Sequence, residues 1–388
     1  MRPLILVSAG EASGDLYAGR LVEELRRSFP DADFFGCAGP RMRAAGVRAV
    51  VRSESLSVVG LAEVLAHVPR IYGEYRRMLA AARRERPQLA ILTDSPDFHL
   101  PLARHLKKLG TTVVYLVAPQ VWAWRKGRIR QVRCNTACVL CIFPFEEAFF
   151  RQRGVNAEYI GHPLARLVKP AASREEFFRK HGLPIDRPML ALLPGSRRGE
   201  VLRHLPSLLD AVDRIGRKAR VSFVLGTPGG LWQTGKSELG ERLGSLPIKV
   251  IEGETWDVLA HCELALAASG TVTIEAALLG ALMVTYYKVT GLSWWLGKFL
   301  VKTPFYSMVN LVAGRMIVPE LMQDEMNGER LAEEALRLLE DPAARERMRQ
   351  GLSEVARGLQ GESDPMQRAA AVVRRYLKAD QGVPNVAA

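Results

Sequence analysis

Ten short apolar runs, separated by stretches with the spacing of amphipathic helices, recur along the chain between Leu4 and Tyr286. A run of about five apolar residues suits a strand buried on both faces, and the amphipathic stretch after it suits a crossover helix. Strand, helix, strand in that order is the mark of βαβ units and parallel sheets. The first five runs are Leu4–Ser8, Asp33–Cys37, Leu89–Thr93, Thr112–Leu116 and Ala137–Phe143; the second five are Met189–Leu193, Val221–Leu225, Ile248–Ile251, Leu264–Ala267 and Leu282–Tyr286. Between the sets, Gly161–Ala172 has no clear period and holds Pro163 and Pro170, so the domain boundary is placed there. The expectation is an α/β protein of two tandem Rossmann-like domains with a cleft between them, residues 1–168 and residues 169–388, the second carrying the C-terminal helices. A chain of 388 residues is long enough for two cores.

Other features narrow the class. Five cysteines, three of them crowded at Cys134, Cys138 and Cys141 without a partner pair at zinc-finger spacing, read as buried thiols in a reducing compartment. The N-terminal apolar run ends too soon for a signal peptide, with Glu11 and Asp15 close behind, and reads as a first strand. The longest apolar span, Ala276–Tyr287, has 12 residues, short of the ~18 that cross a bilayer. The formal charge is +13, and residues 1–168 supply most of it, with 25 basic against 15 acidic residues. Such a field attracts nucleic acid, an anionic membrane or a phosphorylated substrate.

Four turns follow apolar runs and hold the residue types of a site. Ser8–Asp15 contains Gly10, Glu11, Ser13 and Gly14, so it is either a glycine turn that admits a ligand to backbone N–H groups or a capped βα turn. In Thr93–His99, Asp94 is a candidate general base and Asp97 a candidate helix cap. Pro194-Gly195-Ser196-Arg197 reads as a diphosphate cradle, where a helix N-terminus and a guanidinium converge. Ser269-Gly270-Thr271 repeats the pattern, and Glu275, one turn on, can accept hydrogen bonds from ribose hydroxyls. Trp122 and Trp124 beside Arg125 read either as a stacking platform or as core. Leu61, Val64, Leu65, Val68 and Tyr72 share a helical face that suits either a core or a membrane interface, and Leu292–Leu296 beside Lys298 and Lys302 suits packing. His162 reads as a hydrogen-bonded hinge histidine.

In order, SAGEASGD, AGPRM, VVGLAEVL, DSPDF, VAPQVWAWR, FPFE, IGHP, ALLPGSRRGEV, the ASGT turn and the NLVAGR/PELMQ region resemble the lipid-A-disaccharide synthase family over nearly the whole chain. The resemblance implies a glycosyltransferase-B architecture, two Rossmann-like domains facing a central cleft. It implies inverting transfer of 2,3-diacylglucosamine from UDP-2,3-diacylglucosamine to 2,3-diacylglucosamine 1-phosphate (lipid X), forming a β-1,6 linkage and releasing UDP. By motif position, Asp94 is the base and Arg197 holds the UDP phosphates. Ser196, Ser269, Gly270, Thr271 and Glu275 complete the donor site, Asn310 and Gln323 lie near it, and Gly10, Glu11, Ser13 and Asp97 line the cleft. No DxD triplet stands near the phosphate turns, so a metal-independent enzyme with no cofactor is expected. Diacyl substrates imply peripheral association with phospholipid on the cytoplasmic face of the inner membrane, and the family's tendency to associate leaves room for a homodimer.

Two other readings fit parts of the pattern: a UDP-sugar transferase acting on a soluble or undecaprenyl acceptor, and a basic protein that binds nucleic acid. Acceptor choice separates the first, and tight sequence-selective binding the second; only weak, nonspecific nucleic-acid retention is expected.

Overall fold

The computed structural model describes residues 2–56, 61–123, 125–230, 244, 246–291, 294–295 and 303–380, with backbone alone at 61–68, 126 and 378–380. The chain divides into two compact units, Met1–Pro163 with Leu359–Ala388, and Leu164–Gly358.

The first unit holds β1 (Leu4–Ala9), β2 (Asp33–Ala38), β3 (Arg48–Arg52), β4 (Leu89–Thr93), β5 (Thr112–Leu116), β6 (Cys138–Cys141) and β7 (Ala157–Tyr159). They form one sheet in the order β3-β2-β1-β4-β5-β6-β7, every pair parallel. The crossovers include α1 (Ala12–Ser28), α2 (Pro40–Ala44), α3 (Leu61–Glu85), α4 (Pro96–Lys108), α5 (Ile129–Asn135) and α6 (Pro144–Arg151). The central strands are buried on both faces, which is why they read as continuous apolar runs.

The second unit holds β8 (Met189–Leu193), β9 (Ser222–Thr227), β10 (Ile248–Glu252), β11 (Leu264–Ala268), β12 (Met283–Tyr287) and β13 (Glu320–Met322), again all parallel, in the order β10-β9-β8-β11-β12-β13. Its helices include α7 (Leu164–Leu167), α8 (Arg174–His181), α9 (Arg198–Gly216), α10 (Thr255–His261), α11 (Thr271–Leu278), α12 (Met308–Ala313) and α13 (Gly328–Glu340). The aperiodic segment before α8 is held down by a buried carboxylate: Asp257 accepts the amides of Ala171 and Ala172, both at 2.9 Å.

All ten expected strands are present. Three others, β3, β7 and β13, were not anticipated, and each lies at a sheet edge, where short mixed sequences such as Ala-Glu-Tyr carry no apolar run. Cys134 lies on α5 rather than in the strand that holds Cys138 and Cys141. The expected assignment of all the C-terminal helices to the second domain is corrected in part. After α14 (Pro342–Gln360), the helix α15 (Pro365–Asp380) belongs to the first unit, where it packs on α1. Buried Ala369, Val373 and Leu377 form its inner stripe, Asn156 Nδ2 donates to the Tyr376 hydroxyl at 2.8 Å, and Arg375 pairs with Glu158. Among the described residues no helix is long and apolar enough to cross a membrane.

Candidate active site

In the first unit, Ala9 of β1 pairs with Thr93 of β4, so the turns leaving these two strands start level at the C-terminal edge of the sheet. Doubly wound sheets bind ligands at this edge. Asp94 reaches from one turn to the other: the Gly10 amide donates to Oδ1 at 2.8 Å and the Glu11 amide to Oδ2 at 3.2 Å. Its carboxylate thus meets N–H groups at the start of α1 that have no partner within the helix. Glycines make the room. A Cβ on Gly14 would lie 1.7 Å from Asp94 Oδ2, and one on Gly10 would lie 2.1 Å from Ser95 Oγ. The anion that these glycines admit to the turn is therefore the protein's own carboxylate. Burial pushes the Asp94 carboxyl up to about 7, against the opposing pull of the Gly10 amide and the Ser95 hydroxyl. A carboxylate with that value gives and takes protons near neutrality.

The other candidates in this unit divide. Glu11 and Ser13 are exposed in the first turn of α1 and its cap. Asp97 forms ion pairs with Arg125, at 2.8 Å, and with Arg128. Partial burial works against it, but these two guanidiniums hold its carboxyl below the ordinary value. Asp97 makes no side-chain cap bond; it ties the start of α4 to the loop after β5. Trp122 is core: its indole donates to buried Glu146 at 3.0 Å and its ring meets Phe145 edge-on. Trp124 lies outside the described residues. His162 is buried against Phe143 and Tyr17, and burial pushes it down to about 3. The side chains of Leu61, Val64, Leu65 and Val68 lie outside the described residues, whereas Tyr72 is 60% exposed and so not core. Of the Leu292–Leu296 stretch only Trp294 and Trp295 are described; Trp294 lies against Tyr306 and Trp295 is exposed, while Lys298 and Lys302 fall outside.

A cavity of about 1040 Å³ opens at the C-terminal edge of the second sheet. Leu193 pairs with Ala267, which sets the turn after β8 beside the turn after β11. Six expected donor residues line this one space: Ser196, Arg197, Ser269, Gly270, Thr271 and Glu275. Yet the two turns differ. At the start of α9, Glu200 Oε2 already accepts the amides of Ser196, at 3.0 Å, and Arg197, at 3.3 Å, while Tyr287 donates to Oε1 at 3.0 Å. At the start of α11, no acceptor among the described residues meets the amides of Gly270, Thr271 and Val272. The expected cradle in Pro194–Arg197 therefore offers a guanidinium more than a backbone nest, and the open nest is the one at Gly270–Val272. Burial raises the Glu275 carboxyl, opposed by a hydrogen bond from the Trp256 side chain.

Asn310 and Gln323, expected near the donor residues, are not among the residues that line the cavity. Asn310 is fully buried, and its amide serves Val318 through both ends, Glu320 and the Ile317 amide. Gln323 accepts from the Val289 amide at 2.7 Å and donates to the Val289 carbonyl at 3.3 Å, as a neighbouring strand would. Glu200, Trp256 and Lys169 line the cavity and were not anticipated. Glu200 stands three residues past Arg197 at the N-cap of α9 and four past Ser196, one residue out of register with a Ser-x-x-Glu capping pattern, so the local pattern carries no signal for it. Among the described residues no group of three or more His, Cys, Asp or Glu side chains is placed to hold a metal ion.

With this geometry in place, comparison with known proteins finds a family described as lipid-A-disaccharide synthetase matching residues 5–373. A lipid-A-disaccharide synthase of Solibacter usitatus is 63% identical over 97% of this chain and 98% of its own length. One from Myxococcus xanthus is 42% identical over the same shares. Among solved structures, a UDP-GlcNAc 2-epimerase from Neisseria meningitidis bound to UDP-GlcNAc aligns over 98% of this chain and 100% of its own, with TM-score 0.61 and 10% identity. The glycotransferase of kitacinnamycin aligns over 97% of this chain and 100% of its own, with TM-score 0.63 and 17% identity. At such identities these likenesses speak for the fold, the glycosyltransferase-B class of two parallel-sheet units.

Proposed function

Because the chain belongs to the lipid-A-disaccharide synthase family, we propose that it joins UDP-2,3-diacylglucosamine to 2,3-diacylglucosamine 1-phosphate with inversion, giving the β-1,6 disaccharide 1-phosphate and UDP. The observation that carries this reading is the Asp94 carboxylate, oriented by the Gly10 and Glu11 amides and raised to about 7. The acceptor 6-hydroxyl gives its proton to Asp94 as its oxygen attacks the anomeric carbon, and the glycosidic bond to the diphosphate breaks on the opposite face.

Negative charge then grows on the departing UDP phosphates. The amides at the start of α11, aided by the helix dipole, and the Arg197 guanidinium are suited to meet it, with Lys169 a further cation on the cavity wall. Glu275, one turn into α11, accepts hydrogen bonds from the ribose. With these charges in place the reaction needs no divalent ion. Glu11 and Ser13, exposed beside the base, are suited to contact the acceptor sugar.

Diacyl substrates require work at a lipid surface, and the first unit is suited to it. Residues 98–145 contain eight Lys and Arg and no Asp or Glu. We place the protein peripherally on the cytoplasmic face of the inner membrane; a homodimer is compatible with this reading. The decisive experiment supplies both lipids in mild detergent with EDTA present. Disaccharide and UDP are the expected products. Restoration only by Mg²⁺ would refute metal independence, and UDP binding without product in either condition would refute the acceptor.

A further inference from the structure

Asp94 and Ser95 are consecutive non-glycine residues with positive φ, 56° and 37°. Such residues occupy this region only where the surroundings hold them there. Here the surroundings converge on one atom, the Asp94 carbonyl oxygen. The Tyr115 hydroxyl, from β5, donates to it at 2.5 Å, and His99 Nδ1, from α4, lies 3.0 Å away. The other ring nitrogen of His99 lies 2.7 Å from Ser8 Oγ, at the end of β1. Because a carbonyl only accepts, Nδ1 carries the hydrogen, and Nε2 is left to accept from Ser8.

We infer that Ser8, His99 and Tyr115 form a brace that positions the general base by fixing its main chain. The inference rests on the reading of Asp94 as that base and extends it to three positioning residues. The brace touches the carbonyl, not the carboxylate, so it sets where the carboxylate points while leaving both its oxygens to the Gly10 and Glu11 amides, the Ser95 hydroxyl and substrate. His99 and Tyr115 are fully buried. Burial pushes the His99 ring down to about 4 and the Tyr115 phenol well up, so both keep their neutral hydrogen-bonding forms across the working pH range. The two strained dihedral pairs thus sit where they aim a reacting group, with three separate elements spent on a single peptide unit.

The test uses the full chain and the disaccharide-forming assay, with thermal midpoint and UDP affinity measured for each variant. Tyr115→Phe keeps the ring and loses one donor. It is expected to lower kcat about tenfold while leaving both KM values within about twofold, because the loss falls on aiming and not on binding. His99→Leu should behave likewise or worse. His99→Asn, whose Nδ2 takes the place of Nδ1, should recover most of the rate. The pH–rate profile adds a readout that packing alone would not move. With the backbone released, the carboxylate is less buried, so the acid limb should shift downward in Tyr115→Phe. The charged groups around Asp94 and Tyr115, namely Glu11, Asp97 and Arg128, are unchanged in these variants. Wild-type kcat and profile in Tyr115→Phe, or a rise in KM with kcat intact, would overturn the brace, even if His99→Leu fails to fold. Full turnover in Asp94→Ala would overturn the reading of the base itself, a distinct outcome.

Discussion

Asp94 owes its basicity to a contest between burial, which favours the neutral acid, and two backbone amides, which favour the anion. Burial prevails. A base must be ionised to accept a proton, so kcat/KM is expected to climb with pH through about 7 and then level, as a pH–rate profile would show; a limb near the ordinary carboxylate value would refute the assignment. Steric room is the second condition. With a Cβ at Gly14 only 1.7 Å from Oδ2, Gly14→Ala must displace the carboxylate. Turnover should fall by about a hundredfold or more, since misplacement by an ångström costs that much, while UDP affinity measured by calorimetry stays unchanged.

The turns after β1 and β8 show how much chemistry a few residues of loop can set. In both, a glycine clears space and a carboxylate takes up backbone amides, Asp94 reaching from a neighbouring strand and Glu200 from within its own helix. Gly195 has φ 124°, and a Cβ there would lie 2.6 Å from Glu200 Oε2. Gly195→Ala should therefore lower the thermal midpoint by several degrees, with strain of about 1–3 kcal/mol, and weaken UDP binding as Arg197 loses its fixed origin. Arg197→Ala should weaken UDP binding and slow turnover while leaving the midpoint nearly unchanged; equal kinetics would move the phosphates elsewhere. These turns were legible as places, because an apolar strand followed by glycine and a polar residue has few other meanings. Their inner bonding was not. Nothing in the local pattern tells that the Ser196 amide meets Glu200, or that Asn310 turns inward to four backbone and side-chain partners around Glu320.

The two units were legible because buried parallel strands announce themselves, and the missed strands were those that edges leave short and polar. The return of α15 to the first sheet was hidden for a different reason: an amphipathic stripe states that a helix packs, not what it packs on. Charge is distributed on the same large plan. Arg104, His105 and Arg130 border a groove of about 520 Å³ between α4 and α5, inside the stretch that has no acid. Retention on phosphatidylglycerol vesicles should fall steeply with salt and should drop again in an Arg104→Glu, Arg130→Glu double variant, with UDP affinity unaltered. Sedimentation with vesicles checks both; equal retention of the double variant would remove this face from the lipid contact.

The Glu200 carboxylate, seated on the Ser196 and Arg197 amides, has a bearing on competition. A helix end that carries its own counter-ion is closed to stray oxyanions, and the end at Gly270–Val272 is not. Inorganic phosphate should then inhibit as a simple one-site rival of the donor, with linear replots and no second, cooperative ion. On the proposed reading, the sugar nucleotide outcompetes it through a ribose held by Glu275 one turn further along.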